Sequence, residues 1–270
     1  PGTADRPETA PRMNANAPHF ETRLAESEQD MLAAQRLRYR VFVEELHGDG
    51  DLVDHDNRLE RDRFDPFYDH MILVDTKRDA EALDHVVGVY RLMPGERAAD
   101  AGGFYCAGEY DLGILARSGK RLLELGRSCL HADYRGGTAL FHLWNGLGRY
   151  VTERDIELLF GVASFHGTDV EALAQPLSFL HHSHLAPSEL RVRALAENFT
   201  SMNILPADEV DRVRAVREIP SLIKSYLRLG GFVGEGAFID RPFNTTDICL
   251  VMDTGKISQR QRSLYTGGRG

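Results

Sequence analysis

Residues 121–150 read RLLELGRSCLHADYRGGTALFHLWNGLGRY and divide into three pieces. Residues 121–131 are a short Leu-rich run that predicts a strand. Residues 132–137 are polar and hold Gly136 and Gly137, which predicts a turn. From Thr138 to Glu153 the apolar residues recur at helical spacing. Glu124 and Arg127 are charged among apolar neighbours, where a charge is costly unless it is paired or used. Arg135, Gly136, Gly137 and Thr138 lead into a helix N-terminus, where free N–H groups and the helix dipole favour a phosphate. Residues three apart on a regular strand face opposite ways. For Glu124 and Arg127 to serve one site the strand must bulge, and Gly126 is the natural position.

Upstream of this unit, residues 71–75 and 86–93 are expected strands joined by the charged connection 76–85. Before them, Ser27 caps an expected helix that runs to about Leu46, with Arg38 at the edge of its apolar stripe. Arg38 is either a stem on the core with its head in water or an inward guanidinium that orders a loop. A loop rich in Asp follows over 47–69 and is either solvated and mobile or an active-site lid. Downstream, residues 158–165 form an almost wholly apolar run suited to a buried strand. An expected helix begins near Thr168, with Pro176 kinking or dividing it. Residues 187–217 are expected to be a largely helical, arginine-rich insertion. Pro220 opens one more helix, ending at Gly230 and Gly231, and two strands around 232–239 and 246–252 close the domain.

The chain has 270 residues, with 42% hydrophobic and 27% charged, which is ordinary for a globular α/β domain. The net charge of −9 argues against a general nucleic-acid binder. No apolar run is long enough to span a bilayer. The three cysteines, Cys106, Cys129 and Cys249, form no disulfide framework and no zinc motif, which suits a cytoplasmic setting, and no metal is expected. The acidic loop lacks the ordered ligand spacing of a calcium site. Residues 1–19 are expected to be a disordered leader, residues 20–253 a single domain, and residues 254–270 a flexible tail.

The order of these elements resembles an acyl-CoA N-acyltransferase of the GNAT superfamily. The turn Arg135-Gly136-Gly137-Thr138-Ala139 is similar to its pyrophosphate loop. A closer resemblance is to the acyl-homoserine lactone synthases, which take their acyl group from a carrier protein. It lies in Arg38-Tyr39-Arg40-Val41-Phe42, in Asp65 and Asp69, in Arg91, and in Glu124-Leu125-Gly126-Arg127, where Gly replaces their Ser. Three segments resemble instead the sister family of ornithine N-acyltransferases of ornithine lipid synthesis. These are residues 124–135, residues 220–230, and Ile239-Asp240-Arg241-Pro242-Phe243-Asn244-Thr245-Thr246-Asp247.

The resemblance implies a GNAT-like fold, with a mixed central sheet flanked by helices and a helical insertion before the C-terminal hairpin. It implies transfer of a 3-hydroxyacyl chain from acyl carrier protein to the α-amine of L-ornithine, giving lyso-ornithine lipid. No cofactor would be bound permanently, because the carrier protein brings its own 4′-phosphopantetheine. Glu124 is the candidate base, its pKa raised on an apolar strand, or else a structural partner of Arg127 or Arg38. Arg127, Ser128 and Cys129 complete the expected catalytic strand, with a backbone N–H freed by the bulge polarising the thioester carbonyl. Asp65 and Asp69 would take the cationic side chain of the acceptor, Arg91 or Arg127 its carboxylate, and Arg38 and Phe42 would bind the substrate with them. Arg135, Gly136, Gly137 and Thr138 would hold the phosphopantetheine. Arginines on the central helix or in the insertion would dock the acidic carrier protein, and apolar residues would rest on the inner face of a bacterial inner membrane. The rival readings are an acyl-homoserine lactone synthase using S-adenosylmethionine and a non-catalytic carrier-protein or lipid-binding module.

Overall fold

The computed structural model describes residues 17–257. The N-terminal half runs β1 (Phe20–Leu24), α1 (Glu28–Arg38), β2 (Asp69–Asp75), β3 (Val86–Pro94), α2 (Gly95–Ala98), β4 (Tyr110–Asp111), α3 (Gly113–Ala116) and β5 (Leu122–Leu130). Then come α4 (Ala139–Glu153), β6 (Leu158–His166), α5 (Ala174–His184), β7 (Arg193–Ala194), α6 (Arg212–Glu218), α7 (Ser221–Arg228), β8 (Phe232–Val233), β9 (Phe238–Asp240) and β10 (Thr245–Asp253). The main sheet has the order β1-β2-β3-β5-β6-β10-β8, with β9 also on β10. Every pairing in it is antiparallel except β5 with β6. This is the GNAT-like mixed sheet flanked by helices.

That one parallel pairing covers only Leu122 to Glu124 against Leu158 to Phe160, after which the two strands part. On β5 the register with β3 also slips, since Val89 faces Cys129 while Arg91 faces Gly126. The extra residue is absorbed at Arg127, whose φ is +49°. The bulge expected from sequence is therefore present, with its left-handed residue one position after Gly126.

Both faces of the sheet are covered. The α4 helix turns Leu143, Trp144, Leu147 and Tyr150 onto Met71, Leu73, Tyr90 and Leu92, and the same core extends to α5 and α7. On the other face, α1 packs Ala33, Ala34 and Leu37 on Ile72, Val74 and Val89. The first helix is capped at Ser27, whose hydroxyl accepts from the Asp30 N–H at 3.0 Å. It does not continue as α-helix to Leu46 but widens to a π-helix over Tyr39–Glu45, and Arg38 sits at the junction.

One strand was not anticipated, and two local expectations differ from the structure. Phe20–Leu24 pairs with β2 as an edge strand, although its alternating charges gave no clear strand signal. The helix expected from Thr168 begins at Ala174, so Pro176 lies in its first turn and kinks nothing. In residues 187–217, helix is confined to Arg212–Glu218; the rest is loop, short 3-10 turns and the two residues of β7. Leu190, Val192 and Ala194 are anchored there as an extended segment against β10 and Tyr110, so tertiary burial outweighs helical spacing.

Candidate functional site

A cavity of about 240 Å³ opens where β5 and β6 diverge. Its walls include Leu125, Gly126, Arg127 and Ser128 from β5, Gly161 to Ser164 from β6, and Asp247 from β10. Phe42, Tyr68, Tyr90, Arg91, Tyr105 and Tyr226 close it from other elements. The Tyr90 and Tyr226 hydroxyls are hydrogen-bonded to each other, which ties α7 to β3 beside the cavity.

Behind one wall lies a charge-balanced cluster of three arginines and three carboxylates. Arg38 is fully buried and turned inward. Its Nε donates to Glu60 at 2.5 Å and its Nη1 to Asp65 at 2.8 Å. Arg91 donates to Asp62 at 2.8 Å and Asp65 at 2.6 Å. Arg127 reaches Glu60 at 3.2 Å and Asp62 at 3.4 Å. Thus the 47–69 loop is ordered where its acids meet these arginines, while Asp49, Asp51 and Asp56 remain exposed. Burial alone would raise the pKa of Glu60 and Asp65, but the guanidinium groups outweigh it and hold both below the usual carboxylate range.

Glu124 is 1% exposed and forms no wall of the cavity. It accepts from the Tyr68 hydroxyl at 2.5 Å and from the backbone N–H groups of Tyr105 and Cys106 at 3.0 and 2.6 Å. Burial raises its pKa, and these three donors pull it partly back. Neither Arg127 nor Arg38 is its partner. Tyr68, which does line the cavity, stands between Glu124 and the open space, its ring under the Arg91 guanidinium at 4.3 Å.

The remaining expected residues are not all brought together. Arg91, Arg127, Ser128 and Phe42 line the cavity. Asp65 is saturated by Arg38, Arg91 and the Gln35 amide at 3.0 Å. Asp69 is apart from Asp65 in its contacts, accepting from Arg97 at 2.9 Å and the Tyr150 hydroxyl at 2.7 Å. The Cys129 side chain packs against α1 on the far face of the sheet, where burial pushes its thiol up to about 12. Arg135 pairs with Glu45 at 2.7 Å and bonds the Leu130 carbonyl at 3.0 Å. Gly136 takes φ +76°, and Thr138 makes no side-chain cap, so no side chain occupies the N-terminus of α4 from that position.

Sequence reasoning missed Glu60 and Asp62, which were lost in a run of loop acids, and gave Tyr68 no role of its own. It also assigned no part to Glu109, Asp240 and Asp247, which are buried together with carboxylate oxygens all within 4.8 Å of one another. A signal was there for Asp247: an acid beside the apolar run of β10 invites the same question as Glu124 does on β5.

A family model described as an acetyltransferase (GNAT) domain matches residues 37–145. An L-ornithine N(alpha)-acyltransferase of Rhodobacter capsulatus is 59% identical over 247 residues, covering 92% of this chain and 95% of its own. A protein of the same name from Brucella abortus is 41% identical over 248 residues, covering 91% and 88%. Among solved structures, FeeM, an N-acyl amino acid synthase from uncultured soil microbes, matches with a TM-score of 0.50 at 12% identity, covering 91% of this chain and 98% of that one. At that identity the likeness extends to the fold alone.

Proposed function

The chain belongs to the family of L-ornithine N(alpha)-acyltransferases, and from that premise we propose that it acylates the α-amine of L-ornithine with a 3-hydroxyacyl group delivered by acyl carrier protein. The product would be lyso-ornithine lipid. That the chain is an N-acyltransferase follows from the family itself. The observation that carries the choice of acceptor is the cavity at the parting of β5 and β6, with arginines on one wall and acids on another. An amino acid with a charged side chain needs both signs of partner.

In this reading the thioester lies along the opening between the two strands, with its pantetheine phosphate at Arg135, Gly136, Gly137 and Thr138. The acceptor's carboxylate sits at Arg127 and Arg91, whose Nε is buried without a hydrogen-bond partner. The amine nitrogen attacks the thioester carbon, the C–S bond breaks, and the amine must shed a proton. Tyr68 passes that proton to Glu124. The phenol's own pKa is pushed up by burial, so it acts as a relay and Glu124 as the acceptor. A backbone N–H of the bulge at Ser128 or Cys129 polarises the carbonyl, and the proton held by Glu124 passes back through Tyr68 to the departing thiolate, which leaves as the carrier's thiol.

No helix among the described residues is long and apolar enough to cross a membrane. Val213 and Val216 are exposed on α6 among Arg212, Arg214 and Arg217, a basic and apolar patch suited to peripheral contact with an anionic bilayer. The direct test supplies 3-hydroxyacyl carrier protein with either L-ornithine or S-adenosylmethionine and weighs the products by mass spectrometry. N-acylornithine is expected from the first. An acyl-homoserine lactone from the second, or carrier-protein binding with no thiol released from either, would overturn the proposal.

A further inference from the structure

We propose that Asp240 and Asp247, with Glu109 behind them, form the subsite that takes the side-chain ammonium of the amino-acid acceptor. This rests on the ornithine reading above and replaces the expected role of Asp65 and Asp69. Those two are used elsewhere: Asp65 by Arg38, Arg91 and Gln35, Asp69 by Arg97 and Tyr150.

The trio is different in kind. All three are buried, at 5%, 9% and 3% exposure for Glu109, Asp240 and Asp247. Asp240 and Asp247 lie on the cavity wall. Oδ1 of Asp247 and Oε2 of Glu109 are buried with no hydrogen-bond partner, an arrangement that is costly unless a donor arrives. Arg127, the cation whose charge reaches all three, is already shared between Glu60 and Asp62. Three acids this close cannot all ionise alone. Burial and mutual repulsion push Glu109 up to about 9, and burial pushes Asp247 up to about 6 even though the Ser164 and Thr245 hydroxyls beside its carboxylate pull the other way.

An alkylammonium group has three N–H donors and one positive charge, which suits three converging carboxyl groups. Arg127 and Asp240 also flank one and the same residue, Phe243. The Arg127 guanidinium lies 4.9 Å from the centroid of the Phe243 ring, and the Phe243 N–H donates to Asp240 at 3.1 Å. One residue thus separates the arginine assigned to the acceptor's carboxylate from the acid assigned to its far end. A divalent cation fits less well. Calcium needs six to eight oxygens, and the nearby wall formed by Leu159, Val162 and Leu250 offers hydrocarbon.

The test uses the full chain with 3-hydroxyacyl carrier protein and two acceptors, L-ornithine and L-norvaline, which has the same carbon chain without the δ-amine. Wild-type enzyme is expected to prefer ornithine by 100-fold or more in kcat/KM. In Asp247→Asn and Asp240→Asn, shape-conserving changes, that preference is expected to fall at least tenfold, chiefly through the ornithine KM. Equal use of the two acceptors by wild-type enzyme would overturn the subsite without any variant having to fold, as would a preference unchanged in both variants. Activity abolished by a chelator and restored by Ca²⁺ or Mg²⁺ would overturn it in favour of a metal site. Failure of wild-type enzyme to acylate ornithine at all would overturn the functional reading as well, so the two failures are distinguishable.

Discussion

Glu124 illustrates how much one residue reveals and conceals. A carboxylate among leucines announces itself in sequence, yet its partners lie at Tyr68, Tyr105 and Cys106, none predictable from spacing. Only the fold shows that Glu124 meets the cavity through a phenol. Glu124→Gln and Tyr68→Phe are each expected to lower turnover about 100-fold with little change in donor KM. Because Glu124 must be ionised to accept a proton and its pKa is raised, the rate should climb with pH through that pKa. This acid limb should vanish in Glu124→Gln. If Glu124 only braces the Tyr105–Cys106 turn, the variant will melt earlier and keep the limb. The acids of the 47–69 loop were unreadable for a related reason: sequence counts them but cannot say which turn toward arginines on distant strands.

At the scale of elements, the strands and the central helix were legible because burial on a sheet leaves continuous apolar runs. The bulge was legible from a geometric conflict between Glu124 and Arg127, although the left-handed position fell on Arg127. Illegible were β1, too polar to announce itself, and the π-helical turn that follows Arg38, since a change of helical pitch has no residue signature. Just past their last paired residues β5 and β6 still approach closely at Gly161, where a Cβ would lie 2.1 Å from the Leu125 carbonyl oxygen. Gly161→Ala is therefore expected to force the strands off their present course, costing about 1–3 kcal/mol in denaturant titration. Acyl transfer should fall with it. A variant as stable and as active as wild type would mean that the close approach is not needed.

For the whole molecule, two groups of acids set opposite responses to pH. Glu60, Asp62 and Asp65 are held low by arginines, so their contribution to stability is complete above the ordinary carboxylate range and lost as pH falls through their depressed values. Glu109 and Asp247 are raised, so theirs is complete below about pH 4 and lost as pH rises, toward about 9 for Glu109 and about 6 for Asp247. The groups acting on Glu109 are Asp247, Asp240 and Cys249, which raise its pKa, and Arg127, which lowers it. The unliganded protein is expected to melt progressively earlier between about pH 5 and 9, and Glu109→Gln should flatten that decline. An identical slope in the variant would locate the titration elsewhere.

The three residue pairs that join β5 to β6 make the sheet two leaves on a short spine, β1-β2-β3-β5 on one side and β6-β10-β8 on the other. Each leaf has its own ladders, that of β3 with β5 interrupted by the bulge at Arg127, and beyond the three pairs only side chains lie between the leaves. A guest lodged in that gap displaces no backbone hydrogen bond, because the strands on either side of it share none there.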